Sequence, residues 1–181
     1  TESGLFGIIL NVVAIPSCFA AGLIDQRFGS KAVVVIAILC LTLATLGIIS
    51  TSPEATLFGL LSFAPTEPGG GLFGSGAEKS YIVFGLLIGL AFGPIQASSR
   101  SWMAKSVTPE EAGRYFGFYA FIGRATSFLA PAAVALTTRY AAQGFDPITA
   151  SRIGMASLIV FFVVGLVLVQ RTEGPPETGR A

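Results

Sequence analysis

The charged residues of this chain stand far apart, and the gaps between them limit what it can fold into. Glu2 and Asp25 enclose 22 uncharged residues, and Lys31 and Glu54 enclose another 22. Lys79 and Arg100 enclose 20, and Arg152 and Arg171 enclose 18. Between Arg114 and Arg139 lie 24 residues with a single charge, Arg124. A helix needs about 20 apolar residues to cross the hydrocarbon of a bilayer. Five runs approach or exceed that length: 4–22, 32–50, 81–97, 115–138 and 153–169. In lipid every backbone N–H and C=O must be satisfied internally, which leaves helices or a closed barrel. Barrel strands alternate over about ten residues, whereas these runs are longer and continuously apolar. The expected fold is an all-α polytopic membrane bundle of about five transmembrane helices. Residues 1–170 form the transmembrane domain and 171–181 a polar tail. The 12% charged content is about half that of an ordinary domain, and 52% of the chain is hydrophobic. Burying five such helices in water would need far more polar surface.

Composition also narrows function. There is no histidine, so His-based catalysis and His-ligated metal are excluded within this chain, and no cofactor is expected. Cys18 and Cys40 lie in apolar runs without metal-ligand spacing. A net charge of +1 gives no reason to expect a nucleic-acid partner. Residues 71–80 lack the Gly that precedes Lys in a phosphate loop. Residues 73–76 carry a Ser with no first Gly and no His to serve as base. An intramembrane enzyme is therefore the weakest reading, behind a transporter and a non-transporting structural or sensor subunit. The chain opens on Thr1 with no basic stretch ahead of the first run, so a fragment is expected rather than a signal peptide.

Lys and Arg collect on the cytoplasmic side of membrane proteins. Taking alternate connections, Arg27, Lys31, Arg100, Lys105, Arg114, Arg171 and Arg180 share one side, and Lys79, Arg139 and Arg152 the other. The expectation is an integral multi-pass protein, N-terminus outside and C-terminus cytoplasmic, in a bacterial cytoplasmic or a vacuolar membrane. Residues 55–63, too short to cross, are expected to lie at the interface or re-enter it. The Pro- and Gly-rich 65–76 stretch reads as loop.

Two connections carry motifs. The first, Gly22-Leu23-Ile24-Asp25-Gln26-Arg27-Phe28-Gly29-Ser30-Lys31, places an anion and two cations where one helix gives way to the next, and Gly29 permits a left-handed turn. The second runs from Arg100 to Arg114 and contains Thr108-Pro109-Glu110-Glu111. That quartet predicts a helix start, with Thr108 as N-cap, Pro109 in the first position and Glu111 closing a capping box. The helix would then pass through Gly113 and Gly117 into the membrane.

The first connection resembles the G-x-L-x-D-R-x-G-x-K signature of the major facilitator superfamily, with Gln26 inserted between Asp25 and Arg27. The second, with Gly117, Gly123 and Pro131, resembles the R…P-E-E-x-R-x-x-x-G…G…P pattern of the same superfamily. Gly93-Pro94-Ile95-Gln96-Ala97-Ser98-Ser99-Arg100-Ser101, Tyr115-Phe116-Gly117-Phe118-Tyr119 and Gly123-Arg124-Ala125-Thr126 are similar to the unknown-major-facilitator family, related to the autophagy-linked vacuolar amino-acid effluxers. The resemblance covers about residues 4–170. It implies the last five helices of a six-helix C-terminal half, with the N-terminal half of the transporter as partner. It also implies a charge relay of Asp25, Arg27, Arg100, Glu111 and Arg114 that stabilises one state of an alternating-access cycle, with Asp25 approaching Arg100. Its substrate would be a small solute, with amino acids as the family suggests.

Arg124 is the sharpest single residue. It lies nine residues past Tyr115, about 14 Å along a helix, and a cation at that depth is costly unless it faces a wet cavity or a partner. Substrate binding or gating and a structural or snorkelling role compete for it. Asn11, Gln96 and Tyr119 are candidate cavity liners. Ser17, Thr126 and Ser127 are expected to bond their own helix backbone instead. Gly85, Gly89 and Gly93 recur every four residues as a small face for helix packing, with Pro94 kinking or ending that ridge. No Asp or Glu falls inside a run, so a proton-coupling carboxylate, if used, belongs to another part of the transporter.

Overall fold

A computed structural model describes residues 2–63 and 74–172. The uncharged runs are helical. α1 spans Glu2–Phe28, α2 Ser30–Ser50, α3 Gly76–Ser106, α4 Ala112–Thr126, α5 Leu129–Ala141 and α6 Pro147–Arg171. Five stretches are long and apolar enough to cross a membrane: Gly4–Phe28, Ser30–Ser50, Gly76–Ser106, Ala112–Ala141 and Pro147–Arg171. The predicted tail lies outside the described residues beyond Thr172, as does most of the predicted 65–76 loop.

α2 is the centre of the bundle and packs on α1, α3 and α6; α1 also packs on α3, and α5 on α6. The buried apolar residues are small to medium: Ala21, Val33, Val34, Ala37, Ile38, Ala44, Ala91 and Ala150. Large side chains point outward, Phe19 at 76% exposure and Ile15 at 64%. This inversion is what lipid permits, because hydrocarbon does not drive Leu or Phe inward and close backbone approach is left to hold helices together. The chain is an integral, multi-pass membrane protein.

The α1–α2 connection is shorter than the motif suggests. α1 runs through Asp25 to Phe28, and Gly29 alone separates the two helices. Gly29 has φ +83° and ψ 158°, a conformation open in practice only to glycine. Its N–H still closes the last turn of α1 on the Asp25 carbonyl at 2.9 Å.

The fourth run is not one helix. α4 ends at Thr126 and α5 begins at Leu129. At the break the Ser127 N–H reaches back to the Arg124 carbonyl at 3.3 Å, and the Ser127 hydroxyl donates to the same oxygen at 2.8 Å. Pro131 falls in the first turn of α5, where its missing N–H would have had no intrahelical partner. The predicted start at Pro109 is also displaced. Residues 109–111 form a turn and α4 begins at Ala112. Thr108 does not cap: its hydroxyl donates to the Glu111 carboxylate at 3.5 Å, so the capping box does not form. Two other helix starts are properly capped. Ser75 and Glu78 make a reciprocal capping box on α3, at 3.1 and 2.9 Å. Asp146 caps α6, with Pro147 in the first position. Hydrogen bonds from Thr149 and Ile148 hold the Asp146 carboxyl below the usual carboxylate range.

Residues 55–62 form a short hairpin. Ala55–Thr56 (β1) pairs antiparallel with Leu61–Ser62 (β2) across a 3-10 turn at Leu57–Gly59. The hairpin is seated on the end of α2. The hydroxyls of Thr51 and Thr56 bond at 2.8 Å in a buried position, and the Arg152 guanidinium of α6 donates to the Thr51 carbonyl at 2.6 Å.

Candidate functional site

α3 presents two different sides. One is closed. A methyl group added at Gly89 would lie 2.9 Å from the Leu10 carbonyl oxygen of α1; Gly85 faces Phe6 and Leu10, and Gly93 faces Cys18 and Ala14. Pro94 is buried on the same helix, which neither ends nor breaks there and continues to Ser106. Pro94, Ser98, Ser101 and Lys105 form a second packed face, at steps of four, three and four residues. At its end they meet the α1–α2 junction. Lys105 Nζ donates to Asp25 Oδ1 at 2.8 Å and to Ser30 Oγ at 3.1 Å. Ser30 Oγ donates to Asp25 Oδ1 at 2.8 Å and lies 3.4 Å from Ser101 Oγ.

The other side is open. It faces α4, none of whose residues is buried. The two helices are joined by a hydrogen bond between the Ser99 and Tyr119 hydroxyls at 3.0 Å. Beside it lies a groove of about 740 Å³ lined by Arg100 of α3 and by Phe116, Tyr119, Ala120, Ile122, Gly123 and Arg124 of α4. Two guanidiniums therefore share one groove, and no carboxylate lines it among the described residues.

This geometry redistributes the expected site residues. The partner of Asp25 is Lys105, and theirs is the one ion pair among the described residues. Arg100 is five positions from Lys105, about 140° around the helix, so the two cations cannot serve the same side. Arg27 stacks over Phe28, 5.5 Å from the ring centroid. Glu111 is engaged by Thr108. Arg114 lines a separate groove of about 290 Å³ with Gly113, Gly117, Phe118 and Phe121. The five relay residues are thus dispersed rather than gathered. Of the four cavity candidates, Arg124 and Tyr119 line the large groove. Gln96 is exposed and lies outside it. Asn11 is exposed too, and its amide donates to the Gly7 carbonyl one turn back at 2.8 Å. Ser17, Thr126 and Ser127 bond their own helix backbones, at 2.7, 2.7 and 2.8 Å. Among the described residues, Gly117 meets no neighbouring atom and Pro131 is exposed, so neither packs against another described helix of this chain.

Three groups outside the expected relay organise one end of the bundle. Lys105 and Ser30 complete the Asp25 cluster. Lys31 Nζ donates to the Gln170 and Thr172 carbonyls at 3.1 and 2.7 Å, closing the C-terminus of α6 as cations near helix ends do. The signal for Lys105 was available in the spacing of Pro94, Ser98, Ser101 and Lys105, four, three and four residues apart along one face.

A bundle of membrane-spanning helices with a charged groove beside its packed core is the architecture of a major facilitator half-domain, the fold also seen in solved transporters. The chain covers 97% of its length and 40% of the xylose transporter XylE of E. coli, in a partially occluded inward-open conformation, with TM-score 0.74 and 17% identity. For a D-xylose-proton symporter the values are 97%, 40%, 0.70 and 18%. The chain belongs to the family described as vacuole effluxer Atg22 like, whose model matches residues 1–174. Among its relatives, an uncharacterized MFS-type transporter of Bacillus subtilis, YxiO, is 33% identical over 87 residues, 48% of this chain and 19% of the relative. Autophagy-related protein 22 of Cryptococcus neoformans is 27% identical over 167 residues, 92% of this chain and 27% of the relative. The matched segments thus cover about a fifth and just over a quarter of the length of these relatives.

Proposed function

We propose that this chain forms part of a secondary-active transporter that moves a small solute by alternating access, working against the remaining helices of the protein. The observation that carries this reading is Arg124. It sits well inside a membrane-spanning segment and lines an open groove instead of being packed shut by an ion pair. A structural or sensor subunit with the same fold would have no need to keep such a cation beside a cavity. Family membership and the transporter fold support the same conclusion, and both speak against an enzyme. Rocking of helix groups about a central site is how such repeats expose it alternately to the two sides. The Asp25–Ser30–Lys105 cluster joins α1, α2 and α3 at one end of the bundle, and we assign it the locking role in that cycle. Charge distribution supports a cytoplasmic position for this end; the membrane proposed is a bacterial cytoplasmic one, with a vacuolar membrane as the alternative. Amino acids are the solutes suggested by the family resemblance.

The test is flux into proteoliposomes containing the full-length protein, with a panel of amino acids and organic anions. Arg124→Ala is expected to abolish transport, while circular dichroism and size-exclusion behaviour in detergent stay unchanged. Undiminished flux would remove Arg124 from the solute path. Absence of flux for every solute in the wild type would favour the structural or sensor role.

A further inference from the structure

We infer that the groove between α3 and α4 is an oxyanion site, and that it selects solutes of net negative charge over zwitterions of the same shape. The inference rests on the transporter reading for its purpose, and on separate observations for its chemistry. Arg100 and Arg124 come from different helices and line the same groove, 24 positions apart in sequence. Neither forms an ion pair within the described residues. No Asp or Glu lines the groove among the described residues, and of the motif carboxylates Asp25 is bonded to Lys105 and Ser30 and Glu111 to Thr108. Two like charges facing one low-dielectric space raise its positive potential, and an anion placed between them relieves that cost. Guanidinium forks match the paired oxygens of a carboxylate or phosphate. A zwitterionic amino acid would satisfy one fork but place its ammonium in a positive field with no carboxylate to receive it. Tyr119, already bonded to Ser99, adds a hydroxyl at the wall of the groove.

The arrangement also gives binding a mechanical consequence. α4 is tied to α3 by little more than the Ser99–Tyr119 bond. An anion bridging Arg100 and Arg124 would add a second tie between the two helices, so ligand binding and closure of α4 onto α3 become one event.

Glutamate and glutamine have nearly the same shape and differ by one charge, and they make the decisive probe pair. Binding to the full-length protein in detergent is measured calorimetrically at low ionic strength, with inorganic phosphate as a third probe. Glutamate is expected to bind at least about tenfold more tightly than glutamine, with affinity that falls as salt rises. Arg100→Gln and Arg124→Gln should each weaken glutamate binding by about tenfold or more, and Arg124→Lys by less, with a smaller loss for glutamine. Phosphate binding tighter than glutamate would support the site and identify its oxyanion as phosphate. Equal affinity for glutamate and glutamine, no saturable binding of either anion, or glutamate binding indifferent to Arg100→Gln would overturn the inference. Flux separates the two readings. Charge-selective binding without transport sinks the transporter reading and keeps the site. Transport of a neutral solute that neither variant affects does the reverse.

Discussion

α3 and α4 are neighbouring helices with opposite relations to the rest of the molecule. α3 is held along its length by α2 and by α1, the latter through the small residues Gly85 and Gly89, and at its end by the Lys105–Asp25–Ser30 cluster. α4 also carries glycines, Gly113, Gly117 and Gly123, yet a methyl group added at any of them would meet nothing. Identical residues therefore do different work. On α3 glycine removes bulk where another backbone passes; on α4 it leaves a segment loosely engaged beside a charged groove. Stability resides in the first arrangement, and the capacity to bind and move in the second.

Substitutions can break this contrast in graded steps. The largest effect is expected from Gly89→Ala. The added methyl would press on the Leu10 backbone oxygen, which cannot rotate away as a side chain could. Overpacking of this kind costs about 1–3 kcal/mol, read as a lower thermal midpoint in detergent; an unchanged midpoint would show that α1 and α3 are not so close. Gly29→Ala comes next, at about 1–2 kcal/mol, because φ +83° with ψ 158° excludes an L side chain although the space around it is empty. If its melting curve overlays the wild type, the junction has another conformation open to it.

Lys105→Ala is smaller, about 0.5–1 kcal/mol, since the lysine is half exposed and solvent screens the pair. Its consequence for conformation should exceed that for stability, so accessibility of a cysteine placed near Ser30 is the sensitive readout. Arg100→Ala should leave both unchanged, and a matching response from the two variants would return Arg100 to the Asp25 cluster. The smallest effect, and the one of opposite sign, is Gly117→Ala. On a helix where nothing opposes the methyl, lower backbone entropy in the unfolded chain should raise stability by up to about 1 kcal/mol. A loss there would mean that α4 packs against something closer than these contacts indicate.

Much of this could be read before any coordinates. Charge spacing located the membrane-crossing segments, and the four-residue recurrence of Gly85, Gly89 and Gly93 marked the packed side of α3. Gly29 was visible as a turn, although not as the whole of one. The site was harder. Arg124 stood out because a lone cation in an apolar run is costly, and Tyr119 was named beside it. The motif resemblance directs Arg100 to Asp25, whereas in the structure Lys105 holds that position. The break at Ser127–Phe128 was missed because both residues keep helical angles, and an apolar run continues across them without a composition change. Thr108 fits a capping box by spacing alone, but its hydroxyl turns to the Glu111 carboxylate instead.

The sequence by itself determined that the chain crosses lipid and does so as helices. That outcome is local: the length of an uncharged run and the need of each peptide group for a partner decide it wherever the run sits. Only the tertiary structure decided which charges meet, Asp25 with Lys105 and Arg100 with Arg124 around one groove. Such meetings depend on the rotation and register of one helix against another. A single residue changes direction by 100° on a helix, and the packing that fixes it is contributed by residues far away along the chain.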